Sequence, residues 1–494
     1  MGLGLRDPLR SPRRGGLCPG LGPGGRRLPR APRRDRGFPS PIAQGRHPHR
    51  RDPPSPFGAV SMNESPPPSL AEQTILVAHH ALPIANVYLH FRGGPAFDPP
   101  GLEGLTSLTH RMLMRGTRRR GRAELEEAIE ALGTEMSTST QRDAVSIGGS
   151  VLGRNLEAFL ELLVEVVTEP TFETDELEKV RREIQAEQVA GRDDDATLAA
   201  IWFRRTVFRG HPFGHGAVGT AAGLAAITRE DVLSFAARLY SRPNLVVGAS
   251  GDLEAETLLT RLRPLYDALE DAPLVGHFDP PPAVVGRHIL LIDKPERSQA
   301  QLLIGHPSMV ACDPDYLAVS LATTAFGGTF TARLMDEVRV KRGWSYGAYA
   351  RLASERASGN YMMQAAPALT YAPETMQLIF DEYSRFVDEG LTDDEIEFAR
   401  GYLLNQHPFR VEVPSLRCGQ VVSARILGRP DDSIDTYCDR LRALSPEGVR
   451  DAVRRRLRPQ DLHAIMVCTA AEVRPKIEAM PGLSSVTVID ANTP

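Results

Sequence analysis

Three side chains with chemical capacity crowd one short stretch, "GLTSLTHRMLMRGT", from Gly104 to Thr117. Leu102, Leu105, Leu108 and Met112 recur at helical intervals, so the stretch reads as a helix with a buried face. Ser107, His110 and Arg111 share the other face, because residues three and four apart are neighbours on a helix. A hydroxyl is a weak metal ligand and an imidazole a base or a ligand. A guanidinium is neither, since it keeps its proton and offers no lone pair. No H-x-x-E-H or H-E-x-x-H occurs anywhere in the chain. Other candidates are weaker. His79-His80 and the His211/His215 pair lack ligand spacing with a third partner. Cys312, in "ACDPD", has no basic neighbour in sequence to activate it as a nucleophile.

The elements around these residues form a repeated pattern. "TDELEKVRRE" from Thr174 lines up with "DDEIEFARGY" from Asp393, an offset of 219. "ITREDVLSFAARLYSRPNLVVGASGD" from Ile227 lines up with "LSPEGVRDAVRRRLRPQDLHAIMVCTA" from Leu444, an offset of 217. "THRMLMRG" can be laid on "TARLMDEV" at 222. Three matches in one order at nearly equal offsets indicate a duplication. Strand-like runs such as "NLVVGAS" and "HILLIDK" alternate with amphipathic segments such as "LEAFLELLVEVVTE". The fold class expected is α+β: two homologous domains, each an antiparallel-type sheet packed on helices, closing as a clamshell. The expected divisions are 67–272, a Pro/Gly-rich linker at 273–287, and 288–494.

At 494 residues the chain is long enough for two such domains, and 41% apolar with 24% charged residues suits globular cores. Five scattered cysteines without a C-x-x-C pair suggest reduced thiols, not a disulfide framework. No apolar run is long enough for a membrane helix. Residues 1–66 are rich in Arg, Pro and Gly and read as disordered. Thirteen Arg against three Asp in residues 1–61 give +10, which leaves −14 on the rest of a chain whose net charge is −4. That acidic body excludes nucleic acid as its natural partner. Met62 is the alternative start, and neither start shows an export signal. A cytoplasmic location is expected, or a periplasmic one should the true N-terminus differ.

Taken together, "FRGGPAFDPPGLEGLTSLTHRMLMRGT", "RREIQAEQVAGRDDD", "GHPFGHGAVGTAAGLAAITREDV" and "AFGGTFTARLMDEVRVKRGWSYGAY" resemble the pitrilysin-like metallopeptidases, from residue 72 to about residue 480. That family includes insulin-degrading enzyme and mitochondrial processing peptidase. Its active members carry H-x-x-E-H, two zinc-binding histidines with a Glu that activates water, and a third Glu ligand further along. Aligned on Gly116-Thr117, Ser107 stands for the first His, His110 for the general base and Arg111 for the second His. Only Glu187, 76 residues beyond Arg111, matches a ligand. These four are degenerate zinc-site positions, with Arg111 expected to face Glu187 as an ion pair in place of the metal.

The resemblance also implies a second set. In the family an Arg and a Tyr seven residues apart meet the substrate, and here Arg339 and Tyr346 have that spacing. A phenol can donate to the oxyanion formed at a scissile carbonyl, and an Arg can hold carbonyl or carboxylate groups. The expected role is thus a non-catalytic subunit that holds no metal itself. It would pair with a homologous zinc-bearing peptidase subunit, which supplies the zinc cofactor. It would bind an extended peptide substrate at a sheet edge and contribute Arg339 and Tyr346 to the partner's catalytic site. Two alternatives stand beside it: an active zinc endopeptidase with displaced ligands, and a structural scaffold of the same fold.

Overall fold

A computed structural model of the chain describes residues 68–493 except 273, 275 and 277. The basic segment 1–66 and Met62 lie outside the described residues.

Eleven strands among the described residues form two sheets. The first joins β1 (Thr74–Ala78), β2 (Ile84–Arg92), β3 (Ser137–Thr140), β4 (Ala144–Leu152) and β5 (Leu245–Gly251), in the order β1-β5-β2-β4-β3. The second joins β6 (Arg287–Asp293), β7 (Gln301–Ser308), β8 (Ser345–Ser354), β9 (Gly359–Pro367), β10 (Leu462–Cys468) and β11 (Leu483–Asp490), in the order β11-β6-β10-β7-β9-β8. Apart from β11 the second order repeats the first strand for strand, so the duplication seen in the sequence is also topological.

Two sequence expectations need correction. The sheets are mixed, not of antiparallel type. β5 runs parallel to β1, and β10 and β11 run parallel to β6, while the remaining pairs are antiparallel. A strand that returns after a long helical connection can re-enter from its neighbour's own end, and β5 and β10 both do so. The match of "THRMLMRG" to "TARLMDEV" is also out of register. The helix Leu105–Met112 follows β2, and the first helix after β7 is Tyr316–Thr323. The "TARLMDEV" turn instead occupies the place of the next helix, Arg122–Glu130.

Each sheet buries one face under helices of its own half. β2 alternates, placing Ala85, Val87, Leu89 and Phe91 in a core with Leu105, Leu108, Phe159 and Val232. In the second half Leu302, Ile304, Met363 and Met466 pack with Met376, Ile379, Phe380 and Val449.

The opposite faces are covered across the halves. The helix Asp195–Val207 lies on the second sheet, with Leu198, Ala199 and Phe203 among Ile292, Leu303, Ile465 and Val467. The helix Pro414–Ile426 lies on the first, with Cys418, Val422 and Ile426 against Ile75 and Val246. Glycine permits both close approaches. A Cβ at Gly248 of β5 would meet Val422 Cγ2 at 2.9 Å, and one at Gly305 of β7 would meet Phe203 Cζ at 2.9 Å.

Candidate functional site

The Leu105–Met112 helix is too short to hold itself, and a buried carboxylate anchors its first turn. Asp98 accepts from the backbone N–H of Gly104 at 2.7 Å, the N–H of Thr106 at 2.8 Å and the Thr106 hydroxyl at 2.5 Å. Gly104 enters the helix at φ 114°, a left-handed conformation suited to glycine. Burial pushes the Asp98 carboxyl up to about 7, against the downward pull of those hydrogen bonds.

This anchoring aims the three sequence candidates differently from a shared polar stripe. Ser107 is 1% exposed and His110 0%. His110 lies under the sheet, with Nδ1 3.0 Å from the Tyr240 hydroxyl and Nε2 2.8 Å from the Ser146 carbonyl oxygen. Nε2 therefore carries the proton and donates to Ser146, while Nδ1 accepts from Tyr240. Burial holds this imidazole down to about 4. His110 is a satisfied core histidine, and the expectation that it shares a face with Arg111 is corrected here.

Arg111 alone reaches outward. Its Nη1 and Nη2 donate to Glu187 Oε1 and Oε2 at 2.6 and 2.8 Å, a bidentate pair in which the side chains are 29% and 49% exposed. The hydrogen-bonded guanidinium holds the Glu187 carboxyl below its usual range. One turn along, Arg115 donates to Glu183 at 2.5 Å. Arg111 and Arg115 thus ladder against Glu187 and Glu183 of the helix Thr174–Asp193. Zinc does not fit this arrangement. Both nitrogens of His110 are engaged, Ser107 is buried, and the Arg111 cation occupies the one carboxylate that could ligate. Among the described residues no cluster of three His, Cys, Asp or Glu is placed to hold a metal.

Arg339 and Tyr346 are brought together. Arg339 lies in a π-helical turn, Asp336–Val340, and Tyr346 is the second residue of β8. The guanidinium carbon sits 4.9 Å from the Tyr346 ring centroid and 4.2 Å from that of Phe330, so the cation is held between two rings. Tyr346 is 79% exposed and Phe330 58%. The phenol is therefore free to meet another molecule.

Sequence reasoning did not single out Asp98, Tyr240 or Phe330. Asp98 precedes Gly104 by six residues, beyond the span of a local capping pattern, and Tyr240 is 130 positions from His110. Phe330 had only a slight signal: an aromatic in the "GGTFT" turn, nine residues before Arg339.

With this geometry in view, the comparisons fall in one family. Residues 74–219 match the family described as Insulinase (Peptidase family M16), and residues 226–403 match the Peptidase M16 inactive domain. The chain belongs to the M16 family. It is 26% identical to an uncharacterised zinc protease of Streptomyces coelicolor, over 73% of this chain and 80% of the relative. It is 24% identical to a Helicobacter pylori protein named non-peptidase homolog YmxG, over 78% and 89%. The solved structure of a peptidase M16 inactive domain from Pseudomonas fluorescens is similar with a TM-score of 0.74 and 25% identity, over 80% of this chain and 94% of that one. These similarities, with the missing zinc ligands, support an inactive M16 member. No helix among the described residues is long and apolar enough to cross a membrane.

Proposed function

We propose that this chain is the non-catalytic member of a peptidase pair. A zinc-bearing homologue performs hydrolysis, and this chain helps to enclose the peptide and offers Arg339 and Tyr346 to it. The observation that carries the reading is the contrast between the two clusters. At the metal position Arg111 is closed onto Glu187 by two hydrogen bonds, whereas the Tyr346 phenol is exposed beside Arg339. A chain that had lost all function would have no physical reason to keep a half-buried cation between two exposed rings, since exposed aromatics favour aggregation.

Two further features agree with the reading. β3 and β8 each pair on one side only, so extended peptide could add to either edge. The helix Asp393–Val411 exposes Phe398, Tyr402 and Phe409 at helical spacing, apolar surface of the kind a partner covers.

The test is reconstitution. The full chain is purified with its zinc-bearing homologue, and peptide hydrolysis is measured for the pair with Tyr346→Phe and Arg339→Ala variants. Loss of kcat with Tyr346→Phe and weaker peptide binding with Arg339→Ala are expected. Unchanged kinetics for both would leave the chain a scaffold. One tightly held zinc per isolated chain would return it to the enzymes.

A further inference from the structure

The turn that carries Arg339 is dense in charge, and its carboxylates are already committed. Asp336 pairs with Lys341 at 3.0 Å, while Glu337 pairs with Lys341 at 2.5 Å and with Arg342 at 2.6 Å. Among the described residues Arg339 meets no carboxylate at all. Its Nη1 is closed off from solvent without a hydrogen-bond acceptor, against the flanking ring faces, and its other N–H groups have no protein acceptor and remain open. Further along β8 the exposed Arg351 is a second guanidinium without a carboxylate partner among the described residues. Outside residues 1–61 this chain carries a net charge of −14, the difference between −4 and +10, so acidic groups are not scarce. Two uncommitted arginines, one in the turn that leads into an open-edged strand and one on that strand, therefore mark a place where negative charge is to be supplied from outside.

The rings determine what form that charge can take. Phe330 and Tyr346 hold the guanidinium at 4.2 and 4.9 Å from their ring centroids, and a guanidinium with free N–H groups offers a fork that matches a carboxylate. A bulky polyanion gains little from a single fork hemmed by two aromatic side chains. An extended peptide running along β8 can place one acidic group in the clamp and another near Arg351. We infer that Phe330, Arg339 and Tyr346 form a carboxylate-recognising clamp that selects acidic peptides, with Phe330 the positioning residue that orients Arg339. The inference rests on the proposed peptide-facing role of Arg339 and Tyr346 and names the substrate class.

Binding to the full chain alone tests it. The probes are a fluorescein-labelled ten-residue peptide with three glutamates and an amidated C-terminus, its glutamine counterpart, and the glutamine counterpart with a free C-terminal carboxylate. Anisotropy titrations at low salt should show the glutamate peptide binding about tenfold tighter than the amidated glutamine peptide, as a charge-assisted bidentate contact requires. Arg339→Gln should abolish the difference, and Phe330→Leu, which keeps apolar bulk but removes the ring, should reduce it. Tighter binding of the free-carboxylate peptide instead would assign the clamp to a peptide terminus. Equal affinity for all three peptides overturns the inference, as does discrimination that survives Arg339→Gln. Thermal unfolding of each variant confirms that the chain is folded. The failures separate cleanly. Equal peptide affinities with Tyr346→Phe still silencing the pair would remove only the clamp's selectivity. Intact selectivity with unchanged pair kinetics would remove only the subunit role.

Discussion

Arg111 and Glu187 face one another as a two-point ion pair, 2.6 and 2.8 Å across, between a helix in the core and a long surface helix 76 residues later. That single relationship fixes what the neighbouring residues can do. A carboxylate held by a guanidinium has no free lone pairs in the direction a metal would approach.

Arg111→His should not create a zinc site. The new imidazole would have Glu187 beside it, but Ser107 is buried and the ring of His110 remains bound to Tyr240 and the Ser146 carbonyl. Two ligands do not make a closed tetrahedral site. Elemental analysis of the purified variant should find almost no zinc. A stoichiometric, tightly held ion would mean that the helix can rotate to expose His110.

The same pair should contribute modestly to stability. Glu187 is about half exposed, so solvent screening limits the interaction to ~0.5–1 kcal/mol. A double-mutant cycle with Arg111→Ala and Glu187→Ala in urea reads this coupling directly. A coupling several times larger would show that Arg111–Glu187 and Arg115–Glu183 act as one cooperative unit.

Acid should weaken the fold through its buried imidazoles. Burial holds His110 and His306 down to about 4, from an ordinary value of 6.5. Between those values the unfolded chain takes up protons that the folded chain refuses, so stability falls as pH drops through the window. Asp98 and Glu355, lifted by burial to about 7, act in the opposite sense: folded, they keep protons that the unfolded chain releases, and they favour the acid side. A His110→Gln/His306→Gln variant removes only the first effect. Its stability deficit relative to the unaltered chain should shrink from pH 7 to pH 4, by at most ~3 kcal/mol per imidazole. A deficit independent of pH would show that the imidazoles are hydrated.

Gly248→Ala should loosen the cross-half helix. The added methyl group meets a β-branched side chain, Val422, at 2.9 Å, with Cys418 Sγ and His90 Nε2 also near, each at 3.5 Å. Such overpacking costs about 1–3 kcal/mol. Val422→Ala in the same chain makes room, and urea midpoints should show that the two substitutions together cost less than their sum. Strict additivity would place the strain elsewhere.

The parts of this architecture that were legible in the sequence are those encoded locally. The apolar runs "NLVVGAS" and "HILLIDK" marked β5 and β6, and the shared TDELEKVRRE/DDEIEFARGY pattern marked equivalent helices in the two halves. The 76-residue spacing led from Arg111 to Glu187 only through the family resemblance, because nothing in either segment alone names its partner. The inward turn of His110 was not legible. A histidine on a helix can serve either face, and only the Tyr240 hydroxyl and Ser146 carbonyl decide which. Strand direction failed for a related reason, since a strand's pattern records which face is buried and not the end from which the chain enters. The amphipathic helix Asp195–Val207 likewise announces an apolar stripe without saying whose sheet receives it.

That last helix and its counterpart Pro414–Ile426 have a consequence for how the protein is held together. Each half keeps its neighbour's sheet dry, so neither is a self-sufficient folding unit even though each has its own core. The segment between Ala268 and Arg287, free of helix and strand among its described residues, is then a tether and not a hinge of convenience. It sets a high local concentration for two mutually dependent pieces. Cut there, the pieces should survive together and fail apart, as two chains embracing through swapped arms would.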